Sequence, residues 1–275
     1  MAKDSDNNKK ETITTRIWEE IPEDDNPFAA KACYCSGYDV YGDLLGKATW
    51  VEYLYLLFKL EKPTKQQCAL LEGLAVALAN PGPRDHSVRA AMNAGVGGST
   101  HASALMAALA VGAGNLGGGR EVYWASKYLK YCKQSLNNWA RAAEHFSTQD
   151  ADVWHELEHA PGFDPYGNSC SRPVQQTLNY LATLGASGSC LSWICEQQSV
   201  LENQVGSPYS MVMVAAAAFL DAGFNPDESE MLYLLLRLPG AAAHSLEQEK
   251  SGWKRYPFFG SGLILNDDPK QKRSE

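Results

Sequence analysis

The sequence has few long hydrophobic runs and no excess of positive charge, and each lack excludes a class of protein. The longest uninterrupted apolar run, Met211–Leu220, is about half of what a membrane-spanning helix requires. The chain has 24 lysines and arginines and 32 aspartates and glutamates, which gives a formal charge of −8. The only basic cluster is the short stretch Lys270–Arg273. We therefore expect neither a membrane nor a nucleic acid as a partner.

Cysteines are present, but they do not form a metal site or an obvious disulfide framework. The seven cysteines are odd in number and scattered, and several, such as Cys68 and Cys132, lie inside apolar helical patterns. Cys33-Tyr-Cys35 is too closely spaced for a metal pair and has no second pair elsewhere. We expect reduced thiols in a cytoplasmic protein and no metal.

Helix signals dominate what is present. Thr64 and Gln67 form a capping box, and Asn225-Pro226 and Ser207-Pro208 each place a cap residue before a proline, which is typical of a helix start. Alternating strand patterns of useful length are lacking. The sequence therefore predicts an all-α, mostly or wholly helical protein.

Breaks rich in glycine and proline predict the domain organisation. We expect a disordered leader over residues 1–13, a large helical domain over 14–119 and 204–268, a small helical lobe over 120–203, and a polar tail over 269–275. The small lobe contains the loop Pro161–Pro173, and long loops inside compact domains are often functional.

A segment of small apolar residues near the C-terminus carries isolated cations. Arg237 is followed by Leu-Pro-Gly-Ala-Ala-Ala and then His244-Ser-Leu-Glu-Gln, with Arg255 beyond. Arginine suits two-point binding of carboxylates. We expect the Arg237 guanidinium to reach into a water-filled cleft and bind a ligand there.

This segment resembles the C-terminal active-site segment of the citrate synthase superfamily. Two further stretches resemble the same superfamily: Gly37–Pro63, and Asn80–Arg89 with the glycine tract Gly112–Gly119. The tract is similar to that of the lyase module of ATP citrate lyase, and the resemblance runs from Thr15 to about Asp268. It points to the citryl-CoA lyase type and implies a citrate synthase-like fold. It also implies a homodimer or a multiple of dimers, and a coenzyme A thioester and a 2-oxo acid as small-molecule partners, with no metal.

The resemblance also implies site residues. Arg172, Arg237 and Arg255 would hold substrate carboxylates, His244 would orient them, and Arg89 stands where the lyase module has a histidine. The residues expected to contact the coenzyme A thioester are Asn115, Gly117, Gly118, Gly162 and Phe163.

Departures from the family concern the proton-transfer residues. Gly117 replaces the histidine that polarises the thioester, Asp164 replaces a ketone-binding histidine, and residues 202–210 contain no convincing base. Asp164 and His86 are our candidate catalytic groups. The alternative is that Asp164 is a turn residue and His86 is structural. We expect the remaining histidines to be surface or structural residues: His101, His145, His155 and His159.

Two functions follow as hypotheses. The first is a carbon–carbon lyase that cleaves a 3-hydroxy-3-carboxyacyl-CoA, such as citryl-CoA, to an acyl-CoA and a 2-oxo acid such as oxaloacetate, or runs the reverse condensation. The second is a catalytically altered relative that binds an acyl-CoA or a polycarboxylate without turnover.

Overall fold

A computed structural model of the protein describes residues 13–147 and 159–256, and the side chains of residues 143–147 are not included. The expected leader (apart from residue 13) and the polar tail lie outside this part of the chain. The elements in chain order are β1 (Trp18–Pro22), β2 (Ala30–Cys35), β3 (Tyr38–Asp39), α1 (Trp50–Lys59), α2 (Lys65–Leu78), α3 (His86–Val96), α4 (His101–Gly112), α5 (Gly119–Cys132), α6 (Leu136–Ser147), α7 (Arg172–Leu184), α8 (Cys190–Glu196), α9 (Gln198–Val205), α10 (Met211–Asp221) and α11 (Pro226–Ser251). A single π-helical turn covers Val40–Leu44, and a short 3₁₀ turn covers Trp253–Arg255.

Side chains that cap helix N-termini explain several of these boundaries. Thr64 accepts the N–H of Gln67, whose side chain accepts the N–H of Thr64, and Asn225 and Glu228 form the same reciprocal pair at the start of α11. These two predicted starts are confirmed. The start predicted at Ser207-Pro208 is wrong, because α10 begins only at Met211.

The short segment before α10 is extended for a tertiary reason. The carbonyl of Pro208 accepts the N–H of Asp164 at 2.8 Å, and Phe163 forms a β-bridge with Tyr209. Pairing with a segment about 45 residues earlier in the chain holds residues 208–210 out of the helix. A local start signal at proline cannot report such pairing.

A small antiparallel sheet with the order β1-β2-β3 precedes the helices, and the sequence patterns did not predict it. Its β2 strand buries Cys33 and Cys35, which alternate along the strand as period-two geometry requires. Ser36 and Gly37, both with positive φ, turn the chain into β3. The alternation spans too few residues to stand out in the sequence.

Helix α10 lies at the centre of the molecule. Every side chain from Val212 to Phe219 is buried, and the helix packs against α5, α8 and α11. A helix that is apolar on all sides belongs in a core, which accounts for the apolar run found in the sequence. A second, smaller cluster joins α3, α4 and α11 around Val88, Met92 and Ala241.

The larger core cluster takes side chains from both predicted units, for example Leu74 from the large domain and Leu178 from the small lobe. The division into two units stays a prediction. Within residues 13–147 and 159–256, no helix is both long and apolar enough to cross a membrane.

Candidate functional site

The carboxylate of Glu121, in the first turn of α5, joins two loops. Its side chain is only 1% exposed. Oε2 accepts the N–H of Gly117 at 2.5 Å, and Oε1 accepts the N–H of Gly162 at 2.9 Å. Nε2 of His159 lies 3.2 Å from Oε1. A buried carboxylate needs donors such as these two backbone N–H groups, so Glu121 holds the loop before α5 against the loop at residues 160–164.

The carbonyl of Gly117 is also engaged within the protein. It accepts the Tyr233 hydroxyl at 3.1 Å and Nη1 of Arg237 at 2.9 Å. Burial raises the pKa of Tyr233 to about 12, so its hydroxyl is a neutral donor near neutral pH. Glu121 accepts the N–H groups of both Gly117 and Gly162. The expectation that these two glycines contact a coenzyme A thioester stays a prediction.

Arg237 lies at the centre of this arrangement. Its Nη2 pairs with Oδ2 of Asp85, and its guanidinium lies 4.7 Å from the centroid of the Tyr233 ring. The side chains of Arg237 and Asp85 are 7% and 19% exposed. The expectation that Arg237 reaches into a water-filled cleft is wrong, because Asp85, the Gly117 carbonyl and the Tyr233 ring enclose it.

A guanidinium has five N–H donors. Within the described residues, the contacts with Asp85 and Gly117 are the hydrogen bonds of Arg237, so donors remain for a ligand. A role for Arg237 in carboxylate binding stays a prediction.

Asp85 connects Arg237 to the start of α3. Its Oδ1 accepts the N–H of Ser87 at 2.9 Å and so caps the helix. The next residue, His86, and Arg89 one turn later are both exposed. The Arg89 guanidinium lies 5.7 Å from the centroid of the Tyr256 ring, so the chain after α11 returns to this helix.

The second loop is closely packed at Gly162. This residue has φ +91°, and a Cβ there would lie 2.9 Å from the Met213 side chain, so glycine is required. Its carbonyl accepts the N–H of Ser210 at 2.9 Å. The Ser210 hydroxyl is buried and has no hydrogen-bond partner among the described residues. Phe163, next to Gly162, is buried at 1% exposure.

Asp164 has the geometry of a turn residue. Its Oδ1 accepts the N–H of Tyr166 at 3.0 Å, and the side chain is half-buried. The alternative role given to Asp164, that of a turn former, therefore has direct structural support. Its role as a proton-transfer group stays a prediction.

The Pro239-Gly240 pair brings α11 against the loop before α3. The Gly240 N–H donates to the Ala79 carbonyl at 2.7 Å, and a Cβ on Gly240 would lie 2.5 Å from that oxygen. One turn later, Nε2 of His244 lies 3.2 Å from Oδ1 of Asn80, and its Nδ1 lies 3.3 Å from Glu247. His244 thus contacts the loop that leads to Asp85.

The structure brings together only some of the predicted residues. Arg237 and Gly117 are in direct contact, and Glu121 joins Gly117 to Gly162. Gly118 is buried beside Gly117, whereas Asn115 is exposed. Arg172 at the start of α7 and Arg255 after α11 are also exposed, and no hydrogen bond among the described residues joins either to Arg237. The three-arginine clamp stays a prediction.

Four residues of this arrangement were not selected from the sequence: Asp85, Glu121, His159 and Tyr233. Asp85 had a visible signal, since aspartate before a helical pattern is a good N-cap. Glu121 and Tyr233 had none, because an acidic residue and a tyrosine in helices are usually partly exposed. His159 was expected to be a surface or structural residue, and its side chain is 11% exposed and faces Glu121.

Comparisons with known proteins identify the fold. No protein-family model and no curated protein sequence matches the chain. Among solved structures, the chain is similar to citryl-CoA lyase from Hydrogenobacter thermophilus, with a TM-score of 0.70 and 18% identity over 96% of this chain and 100% of that one. It is similar to an ATP citrate lyase variant from Methanosaeta concilii in complex with (3S)-citryl-CoA, with a TM-score of 0.74 and 15% identity over 97% of this chain and 43% of that one.

Citrate synthase from Thermotoga maritima is also similar, with a TM-score of 0.59 and 16% identity over 82% of this chain and 61% of that one. The predicted fold class and the resemblance are thereby confirmed at the level of the fold. The chain has the helical, citrate synthase-like fold that citryl-CoA lyase, ATP citrate lyase and citrate synthase share.

Proposed function

We propose that the protein is a carbon–carbon lyase of the citryl-CoA lyase type, acting on a 3-hydroxy-3-carboxyacyl-CoA such as citryl-CoA. One observation carries the proposal: the match to a citryl-CoA lyase covers 96% of this chain and all of that one. The reverse condensation uses the same groups and belongs to the same proposal.

The reaction needs a base and a group that stabilises negative charge. A base removes the proton of the tertiary hydroxyl, and the carbon–carbon bond beside it breaks. The hydroxyl carbon becomes the ketone of a 2-oxo acid such as oxaloacetate, and the electron pair of the broken bond forms the enolate of the acyl-CoA. An acid then protonates the enolate carbon.

Arg237 is the proposed carboxylate-binding residue with the best-defined position. Asp85 and the Gly117 carbonyl fix the plane of its guanidinium, which leaves the remaining donors in one orientation. Arg172, Arg255 and Arg89 are proposed as further cations for the substrate. His244 is proposed to orient the substrate carboxylates. The residues proposed to contact the thioester are Asn115, Gly117, Gly118, Gly162 and Phe163.

Proton transfer is proposed for Asp164 and His86. Both retain access to solvent, since Asp164 is half-buried and His86 is exposed. Glu121 is unsuited to proton exchange with a substrate, because its carboxylate is enclosed by the loops that it holds. We assign Glu121 a positioning role. The chemistry proposed here uses no metal.

One observation favours the second function, binding without turnover. Gly117 stands where citrate synthases have a histidine, and its N–H is already bound by Glu121. A group to stabilise the enolate oxygen is therefore not evident at this position. In that case the protein would bind an acyl-CoA or a polycarboxylate and release it unchanged.

We also propose that the protein forms a homodimer or a multiple of dimers. Helix α4 packs on α3 and α11 through Ala104, Ala108 and Gly112. Met106, on the opposite side of the helix, is 61% exposed, and Val111, at the margin of the packed side, is 46% exposed. A partner helix on this surface would cover Met106. A cytoplasmic location belongs to the same proposal.

A coupled assay separates the two functions. Purified protein is incubated with citryl-CoA, malate dehydrogenase and NADH, so that released oxaloacetate oxidises NADH. We expect NADH oxidation that depends on the protein and is weakened by Asp164→Asn or by His86→Gln. Binding of citryl-CoA in a calorimeter without NADH oxidation would support the second function. If the protein neither binds citryl-CoA nor causes NADH oxidation, both functions are contradicted.

A further inference from the structure

Helix α5 has two chemically different faces, and only one of them belongs to the core. The core-facing side chains are buried: Glu121, Val122, Ala125, Ser126, Leu129 and Cys132. On the opposite face, Arg120, Tyr123, Lys127 and Tyr131 follow one another at intervals of three or four residues, as neighbours on one helix face do. This second face, with Trp124, is the aromatic–cationic face of α5.

The aromatic–cationic face borders a cavity of about 740 Å³. Arg141 and Ala142 of α6 and Pro226 and Asp227 at the start of α11 close its sides. The volume falls within the range of about 300–1,000 Å³ typical of small-molecule sites. Gly117 and Gly162, the residues that Glu121 joins, are not among the residues that line this cavity.

The cavity is locally positive in an acidic protein. Its described lining includes Lys127, Lys130 and Arg141 but only one carboxylate, that of Asp227, whereas the whole chain has a formal charge of −8. Within the described residues, none of these three cations forms a salt bridge. Unpaired cations around a cavity favour an anionic ligand.

Aromatic rings supply a second kind of contact. Nζ of Lys127 lies 4.8 Å from the centroid of Tyr123 and 5.2 Å from that of Trp124, so a cation already rests on these rings. Tyr131 also lines the cavity and is 71% exposed. Its ring is available for stacking against a planar group.

We propose that this cavity binds a nucleotide, with the base stacked on the Tyr131 ring and the phosphates held by Lys127, Lys130 and Arg141. Aromatic rings beside unpaired cations match a planar base joined to phosphates better than they match a simple carboxylate. The nucleotide has two possible sources, a free nucleotide or the nucleotide end of coenzyme A.

Calorimetry on the full chain with AMP, ATP and coenzyme A as probes tests the proposal. We expect saturable binding of at least one probe, with affinity that falls as salt rises. Tyr131→Ala and Lys127→Ala should each weaken it by at least about fivefold, in line with the loss of a stacking or charged contact.

Lys62→Ala is the matched control, because Lys62 is an exposed lysine that lines a different cavity. It should bind the probes as the parent does. If Tyr131→Ala weakens the binding of AMP and ATP but not that of coenzyme A, the cavity is assigned to free nucleotides. If it weakens the binding of coenzyme A in parallel, the cavity is assigned to the nucleotide end of that molecule.

The proposal is overturned if no probe binds, or if both cavity variants bind like the parent. This outcome is separate from the lyase proposal, since citryl-CoA cleavage is measured independently by NADH oxidation. Melting temperatures of the variants should match that of the parent, because Tyr131 and Lys127 are exposed.

Discussion

Arg237 on α11 and Asp85 at the N-cap of α3 form an ion pair across 152 residues of sequence. The same guanidinium donates to the Gly117 carbonyl, and Glu121 accepts the N–H of that glycine. The contacts join the starts of α3 and α5 to the middle of α11. Because they are mostly buried, they are expected to contribute to stability as well as to any ligand binding.

Breaking the Arg237–Asp85 pair is expected to destabilise the protein. Arg237→Ala or Asp85→Asn leaves a mostly buried charge without its partner, which costs about 3–5 kcal/mol of unfolding free energy. The double variant should lose less than the sum of the two, because neither charge then lacks a partner. Urea unfolding measures all three.

The matched control for this pair is Arg120–Glu230, at 3.5 Å, whose side chains are 41% and 22% exposed. Glu230→Gln should cost less than about 1 kcal/mol, because water screens an exposed pair. Equal losses for Asp85→Asn and Glu230→Gln would contradict the role given to the buried pair.

Arg237→Lys separates ligand binding from stability. Lysine keeps a positive charge near Asp85 but loses the planar fork. We expect binding of oxaloacetate or citrate to fall about 30- to 1000-fold, which corresponds to about 2–4 kcal/mol. Loss of the bond to Gly117 should cost about 1 kcal/mol of stability. Parent-like ligand affinity in calorimetry would show that Arg237 is only structural.

Glu121→Gln tests the junction of the two loops. An amide offers one acceptor and one donor group, so a buried N–H of Gly117 or Gly162 loses its acceptor, at a cost of about 1–3 kcal/mol. The rate of citryl-CoA cleavage should also fall, since Glu121 no longer holds the Gly117 and Gly162 loops together. Glu196→Gln, on the exposed face of α8, is the control for both readouts. An unchanged unfolding free energy would rule out the junction.

Stability is expected to fall at high pH. Burial raises the pKa of Cys132 from its ordinary 9.0 to about 11, and burial with the charge of Asp221 raises that of Cys190 to about 12. As the pH rises, the unfolded chain therefore releases these two thiol protons before the folded chain does, and this favours unfolding. The contribution of the two buried thiols to stability is present below about pH 9 and is lost between pH 9 and 12.

Melting temperatures measured from pH 8 to pH 11 check this expectation. Cys190→Ala should show a smaller fall over that range than the parent, whatever its melting temperature at pH 8. The comparison is between slopes, because removal of a packed side chain also lowers stability at all pH values. An identical slope would exclude Cys190 as a source of the pH dependence.

Met106→Lys tests the proposed dimer. A lysine on the exposed face of α4 would place a charge in an apolar contact, so we expect light scattering to report a dimer for the parent and a monomer for the variant. Val76→Lys is the control, since Val76 on α2 is 72% exposed and lies on another helix. A monomeric parent at micromolar concentration would contradict the proposal.

The sequence by itself determined the features that depend on near neighbours. The capping boxes at Thr64 and Asn225 act over three residues. The burial of α10 follows from its own apolar sequence, because such a run is excluded from water whatever its partners are. The resemblance to citrate synthases, carried by short segments, correctly indicated the helical fold. The small sheet escaped prediction because its strands are short and are held by pairing.

The tertiary structure decided the partners of the predicted site residues. Asp85 encloses Arg237 from 152 residues away, and Glu121 bonds Gly162 from 41 residues away. The Ser207-Pro208 signal failed because residues 208–210 pair with residues 162–164 instead of starting a helix. A residue type indicates what a side chain can bind, but the approach of distant backbone segments determines which of those partners it meets.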